Sequence, residues 1–139
     1  MTTQPVPGDS SWLIAAMPFV ASLGIELDAA AADEVLARME WAGDRCTVGG
    51  VLHGGALMTF ADSVGAICAF LNLPPAATTS TIESKTNFFR AVRSGTVHAV
   101  TRPLHVGGST VVVQTNLRDD AGRLVAQVTQ TQAVRSGSG

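Results

Sequence analysis

Charge is scarce in this sequence, and the scarcity excludes much. Only 14% of the 139 residues are Asp, Glu, Lys or Arg, against 46% hydrophobic residues. A single domain of that size holds more apolar surface than its own core easily hides, so self-association is expected. The formal net charge of −2 comes without any basic run, which removes the electrostatic footprint of a nucleic-acid binder. Cysteine is limited to Cys46 and Cys68. Neither has the spacing or the histidine neighbours of a metal site, so no metal is expected and both are read as reduced thiols. No Lys or Arg precedes the apolar stretch 12–20, so the start lacks the charge of a secretory signal. The longest apolar run, 56–73, is broken by Asp62, Ser63 and Gly65 and falls short of a membrane span. A cytoplasmic protein without membrane contact is the expectation.

What is present reads as one α+β domain. Residues 1–23 form an N-terminal segment with one short helix through Trp12, Leu13, Ala16 and Phe19, capped by Ser10 or Ser11. Residues 24–135 form the domain proper, and Ser136 to Gly139 a flexible tail. Gly24 to Leu27 and Glu34 to Trp41 predict a β-hairpin with Ala29 to Ala32 at its tip. After a glycine-bearing loop, the sequence from His53 to Pro74 is a continuous apolar run and predicts a central helix, ended by Pro74-Pro75. Downstream, Thr79 to Phe89, Gly95 to Val106, Ser109 to Leu117 and Arg123 to Val134 are rich in Val, Thr and Phe. Turn chemistry separates them and predicts four strands in meander order. Two strands, a helix apolar on nearly every side and four more strands imply a sheet wrapped around that helix.

Between His53 and Glu83 the only charged side chain is Asp62. A carboxylate among Leu57, Phe60, Val64 and Ile67 requires a reason, because an unpaired charge in apolar surroundings is costly. Helical spacing puts Asp62 on a face with Gly55, Met58, Thr59, Gly65, Ala66 and Ala69. These mostly small residues leave room for a partner helix or for a substrate. Asp62 is thus a candidate nucleophile or general base, beside the structural alternative of a carboxylate hydrogen-bonded across an interface. Gly54 and Gly55 open the helix, where the first amides lack intrahelical acceptors and the dipole is positive. The Gly54 amide is a candidate oxyanion donor, with a plain tight turn as the alternative. His53 is a candidate for orienting the incoming chain or donating to the substrate, with a helix cap through its ring as the alternative. One of the hydroxyls of Thr79, Ser80 and Thr81 is a candidate for positioning water near Asp62, with plain β propensity as the alternative. Arg90 or Arg93 is a candidate for meeting anionic phosphates, with a solvated surface arginine as the alternative. His98 and His105 stand apart from any acidic or cysteine cluster and receive no catalytic role.

The run Gly50-Val51-Leu52-His53-Gly54-Gly55 followed by Asp62 resembles the signature of hotdog-fold acyl-coenzyme A thioesterases of the phenylacetate-degradation type. Thr81-Ile82-Glu83, Asn87-Phe88-Phe89-Arg90 and Gly122 to Gln127 continue the likeness in the family's order, which covers roughly 24–134. The resemblance implies a long central helix wrapped by a mainly antiparallel six-stranded sheet. It implies a homodimer paired edge to edge, often assembled into a tetramer, with active sites between subunits. Asp62 would activate water or attack the thioester carbonyl, and the Gly54 amide would polarise its oxygen, with His53 in support. Gly55, Thr81, Ala66 and Arg90 would contact the substrate. Coenzyme A belongs to that substrate, so no cofactor is implied. Two positions depart from the pattern. Thr47 stands six residues before the histidine, where relatives often carry Asn or Gln that positions water or substrate. Gly107-Gly108-Ser109 replaces a basic residue near the coenzyme phosphates, which leaves Arg90 as the candidate contact. Thr47 gives weight to a second reading, a non-catalytic acyl-CoA-binding hotdog module.

Overall fold

The computed structural model of the protein describes residues 10–136. The expected flexible tail, but for Ser136, lies outside the described residues, as do residues 1–9. The helix expected from His53 is α3, Gly54–Phe70. His53 holds the N-cap with extended backbone angles, φ −62° and ψ 135°, and its Nδ1 accepts the Gly55 amide at 2.7 Å. That bond satisfies one of the amides a helix start leaves without an acceptor. The helix is capped at Leu71, before the two prolines are reached. Leu57, Phe60, Ala61, Val64, Ile67 and Cys68 are buried along it.

Six strands form one antiparallel sheet: β1 Glu26–Ala31, β2 Glu34–Glu40, β3 Thr78–Phe88, β4 Thr96–Val106, β5 Thr110–Arg118 and β6 Leu124–Arg135. Their order across the sheet is β1-β2-β4-β5-β6-β3. Alternate residues supply the core: Val35, Ala37 and Met39 from β2, Val97 and Ala99 from β4, and Val111, Val113 and Leu117 from β5 are all buried. This period of two is the mark of a sheet with one face covered. The cover is α3, which packs on β2, β3, β4, β5 and β6. A helix enclosed by one curved antiparallel sheet is the hotdog arrangement expected above.

Three expectations are corrected. The four later strands are not a continuous meander, because β3 pairs with β6 rather than β4. Residues 89–95, which include the expected turn Arg93-Ser94-Gly95, form a crossing connection. The Phe89 and Arg90 amides donate to the Val125 carbonyl, the Leu52 amide to that of Val92 and the Trp41 amide to that of Gly95. With its backbone committed elsewhere, the segment carries the chain from the sheet's edge to its middle. The first hairpin is longer than expected: Ala29, Ala30 and Ala31 belong to β1, and the turn is Ala32-Asp33. The N-terminal helix is two short ones, α1 Trp12–Ala15 and α2 Pro18–Ser22. Pro18 has no amide to continue α1, and Met17 before it lies outside the helical region at φ −115° and ψ 87°. The first amides of α1 are received by the main-chain oxygens of Ser10 and Ser11.

Strand β3 is an edge, and it is exposed along almost its whole length. Its register slips between Thr81 and Glu83, leaving Ile82 as an extra residue that is 60% exposed. The same slip restores Ser84 to the helix-facing side opposite Gln130.

Candidate active site

Asp62 lies half-buried on α3, facing the seam between the helix and the strand pair β3 and β6. The hydroxyl of Thr81 donates to its Oδ1 at 2.9 Å, and Nε2 of Gln130 reaches the same oxygen at 3.1 Å. Behind them Gln132 Oε1 accepts from Thr81 at 2.6 Å and from Gln130 at 3.0 Å. Gln132 in turn donates to Thr79 Oγ1 at 3.2 Å, and Thr79 donates to the Ala133 carbonyl at 2.7 Å. The carboxylate is therefore the outer end of a chain of polar side chains running into the sheet. Gln130 and Gln132 are fully buried, so the bond between them is formed where water does not compete.

At the start of the helix, the Gly55 amide is occupied by His53, while the Gly54 amide has no acceptor among the described residues. A donor at the positive end of a helix dipole with nothing to bond is suited to a developing negative charge. The Phe88 ring lies against Gly54, where a Cβ would meet Cζ at 3.2 Å. Gly54, Leu57, Phe88, Phe89 and Arg90 line a surface cavity of about 350 Å3. Arg90 thus shares a cavity with the helix start. Ala66, one turn beyond Asp62, opens instead on a cavity of about 230 Å3 whose walls include Trp12, Leu13, Ile67, Phe70 and Thr79.

One separation governs the chemistry. Gly54 and Asp62 are eight residues apart on a single helix, or about 12 Å along its axis. A reacting carbonyl needs its nucleophile and its oxyanion donor each within about 3 Å, so the two groups of one chain cannot serve the same carbon. Thr47 is also remote from the network: it is exposed in a loop turned by Gly49 and Gly50, and its amide donates to the Val51 carbonyl at 2.8 Å. Cys68 is removed from nucleophilic chemistry, since burial, aided by the charge of Asp33, pushes its thiol up to about 12.

Sequence reasoning missed Gln130 and Gln132. The signal lay in the period of β6: counting by twos from the apolar Val128 places both glutamines on the inner face. Runs of Thr and Gln read as a solvated surface when the register is not followed.

Comparison with known proteins agrees with the fold. A family model described as the thioesterase superfamily matches residues 49–126, from the loop before His53 into β6. The chain belongs to the thioesterase superfamily. A thioesterase of Haemophilus influenzae has a similar structure, with a TM-score of 0.83 and 30% identity over 87% of this chain and 85% of that one. A Pseudomonas aeruginosa thioesterase, in a variant with glutamine replaced by alanine, gives a TM-score of 0.87 at 29% identity, covering 94% of this chain and 96% of that one. The 1,4-dihydroxy-2-naphthoyl-CoA hydrolase of Escherichia coli is 34% identical over 61% of this chain and 62% of its own length. The chain spans less than two thirds of that enzyme, and 57% of a Vibrio cholerae relative. Among the described residues no helix is long and apolar enough to cross a membrane.

Proposed function

We propose that this thioesterase-superfamily chain hydrolyses an acyl-coenzyme A thioester to the free acid and coenzyme A, in the manner of the phenylacetate-degradation type. The observation that carries the proposal is Asp62, the lone carboxylate of the enclosed helix, held by Thr81 and Gln130 beside a cavity able to take an acyl group. The Escherichia coli relative, named for a coenzyme A thioester that it hydrolyses, supports the substrate class.

In this reading Asp62 takes a proton from water as the oxygen adds to the carbonyl carbon, or its own oxygen adds to that carbon and loss of the thiolate leaves an anhydride for water to open. The oxyanion is received by a Gly54 amide, an interaction worth about 3 kcal/mol in comparable sites. The carbon–sulfur bond then breaks, and the thiolate of coenzyme A leaves and is protonated. Because Gly54 and Asp62 of one chain are too far apart, the site joins Asp62 of one copy to Gly54 of another. The exposed edge β3 supplies the surface for that homodimer, and pairs of dimers would make the tetramer. The acyl group lies toward Ala66, and the coenzyme phosphates toward Arg90. We place the protein in the cytoplasm, with no metal and no cofactor beyond the substrate's own coenzyme A.

Thiol release from a panel of aryl and aliphatic acyl-CoA thioesters tests the reading. Turnover is expected for the wild type, and loss by at least about a thousandfold for Asp62→Asn with fold and assembly intact. Tight acyl-CoA binding without any turnover would instead identify a binding module, the role to which Thr47 points.

A further inference from the structure

Both hydrogen bonds recorded on the Asp62 side chain fall on Oδ1; among the described residues none reaches Oδ2. The two donors are not equivalent. Thr81 has one hydroxyl proton for two acceptors, Asp62 Oδ1 at 2.9 Å and Gln132 Oε1 at 2.6 Å. Gln130 has two amide protons and meets both of the same acceptors, Oδ1 at 3.1 Å and Gln132 Oε1 at 3.0 Å, with the main-chain oxygen of Asp62 a longer third at 3.4 Å. Thr81 is therefore free to swing to Gln132 while Gln130 keeps Oδ1. The amide cannot be turned over without cost, since rotation would set its oxygen against both acceptors. In the orientation present, Oε1 of Gln130 packs on Gly65 and has no hydrogen-bond partner among the described residues. A buried amide with one end satisfied and the other left bare is a poor choice for filling space. It is a good one for presenting a donor at a chosen point.

We propose that Gln130, braced by Gln132, is a positioning residue that tethers Oδ1 of Asp62 and leaves Oδ2 as the oxygen that acts on the thioester or on its water. The proposal rests on the thioesterase reading for the reaction, though not for the tether. Fixing one oxygen keeps the carboxylate in a single rotamer beside the bound acyl group, which is the geometric condition for an efficient attack. The tether is neutral, so it orients the carboxylate without the ion pair that a lysine or arginine would impose.

Gln130→Met keeps nearly the same length and removes the donor. The expected result in thiol-release assays is a fall in kcat of about tenfold to a hundredfold with KM within about twofold. An unchanged kcat in a folded variant would overturn the proposal. The second measurement leaves Gln130 in place and needs no turnover. In NMR spectra of the intact protein, the two side-chain amide protons of Gln130 are expected to exchange slowly, and Asp62→Ala is expected to move their shifts and speed their exchange. Insensitivity to Asp62→Ala would refute the tether, whatever the kinetics. Coupling between the two residues in a protein that turns over no thioester would keep the tether and remove the thioesterase reading, so the two failures are distinguishable.

Discussion

A Cβ on Gly65 would stand 2.2 Å from Oε1 of Gln130, so the amide from β6 occupies space that a helix side chain would otherwise fill. Gly65→Ala sets two effects against each other. Alanine is the better helix former by up to about 1 kcal/mol, but its methyl group must displace a buried amide, and such overpacking costs about 1–3 kcal/mol. The amide is also the one that reaches Asp62. We expect a modest net loss of stability in thermal melts together with a kcat lowered by about tenfold. A variant at least as stable as wild type and fully active would show that Gln130 can leave its place without consequence.

The sequence made one half of this pair legible and hid the other. Asp62 declared itself because it interrupts an apolar helix, and His53-Gly54-Gly55 because it opens that helix and, with Asp62 behind it, resembles a family signature. The glutamines were hidden by the weakness of the strand signal: in Thr129-Gln130-Thr131-Gln132 every residue is polar, so the alternation that marks a buried face is absent. Position relative to Val128 alone assigns them inward. The strand order was hidden for a different reason. Arg93-Ser94-Gly95 has the composition of a hairpin turn, and only the long-range bonds of residues 89–95 show that the chain crosses there. Local chemistry reports that a chain turns, not how far it travels before it pairs.

Cys68 gives a prediction about pH. Its thiol is pushed up to about 12 from an ordinary value of 9.0, first by burial and then by Asp33. The folded state therefore holds this proton more tightly than the unfolded chain. The stability that follows is fully present below about pH 9 and is lost as the pH rises toward 12. Denaturation midpoints measured across alkaline pH should fall over that window in the wild type and fall less in Cys68→Ala, once the lower baseline of the variant is subtracted. At pH 8 a thiol reagent should label the half-buried Cys46 and spare Cys68 until the protein unfolds.

Trp12 gives a prediction about selectivity. Its ring meets that of Phe70 edge-on, with centroids 6.3 Å apart and planes at 78°, at the wall of the cavity one turn beyond Asp62. The cavity is about 230 Å3 in one chain, and in the proposed reading Trp12 stands on the side toward which the acyl group lies. Trp12→Ala opens the wall. One methylene in an apolar pocket is worth about 1–3 kcal/mol, so kcat/KM for an acyl chain one carbon longer than the best wild-type substrate should rise by about tenfold relative to that substrate. A uniform loss across the whole chain-length series would place the acyl group elsewhere.

The pairing of Asp62 with Gly54 across two copies can be tested without knowing the best substrate. Gly54→Pro deletes the free amide at the first residue of a helix, a backbone position that suits proline, and requires the Phe88 ring, whose Cζ a Cβ there would meet at 3.2 Å, to shift slightly. His53 before it already has the extended angles that a following proline demands. Asp62→Asn removes the acid. Each variant alone should be inactive. In a mixed dimer the two lesions fall together in one site, and the other site combines an intact Asp62 from one copy with an intact Gly54 from its partner. Co-expressed at equal levels and assembling at random, the variants should recover about a quarter of the wild-type activity. A site confined to one chain would recover nothing, because every chain in the mixture carries a lesion.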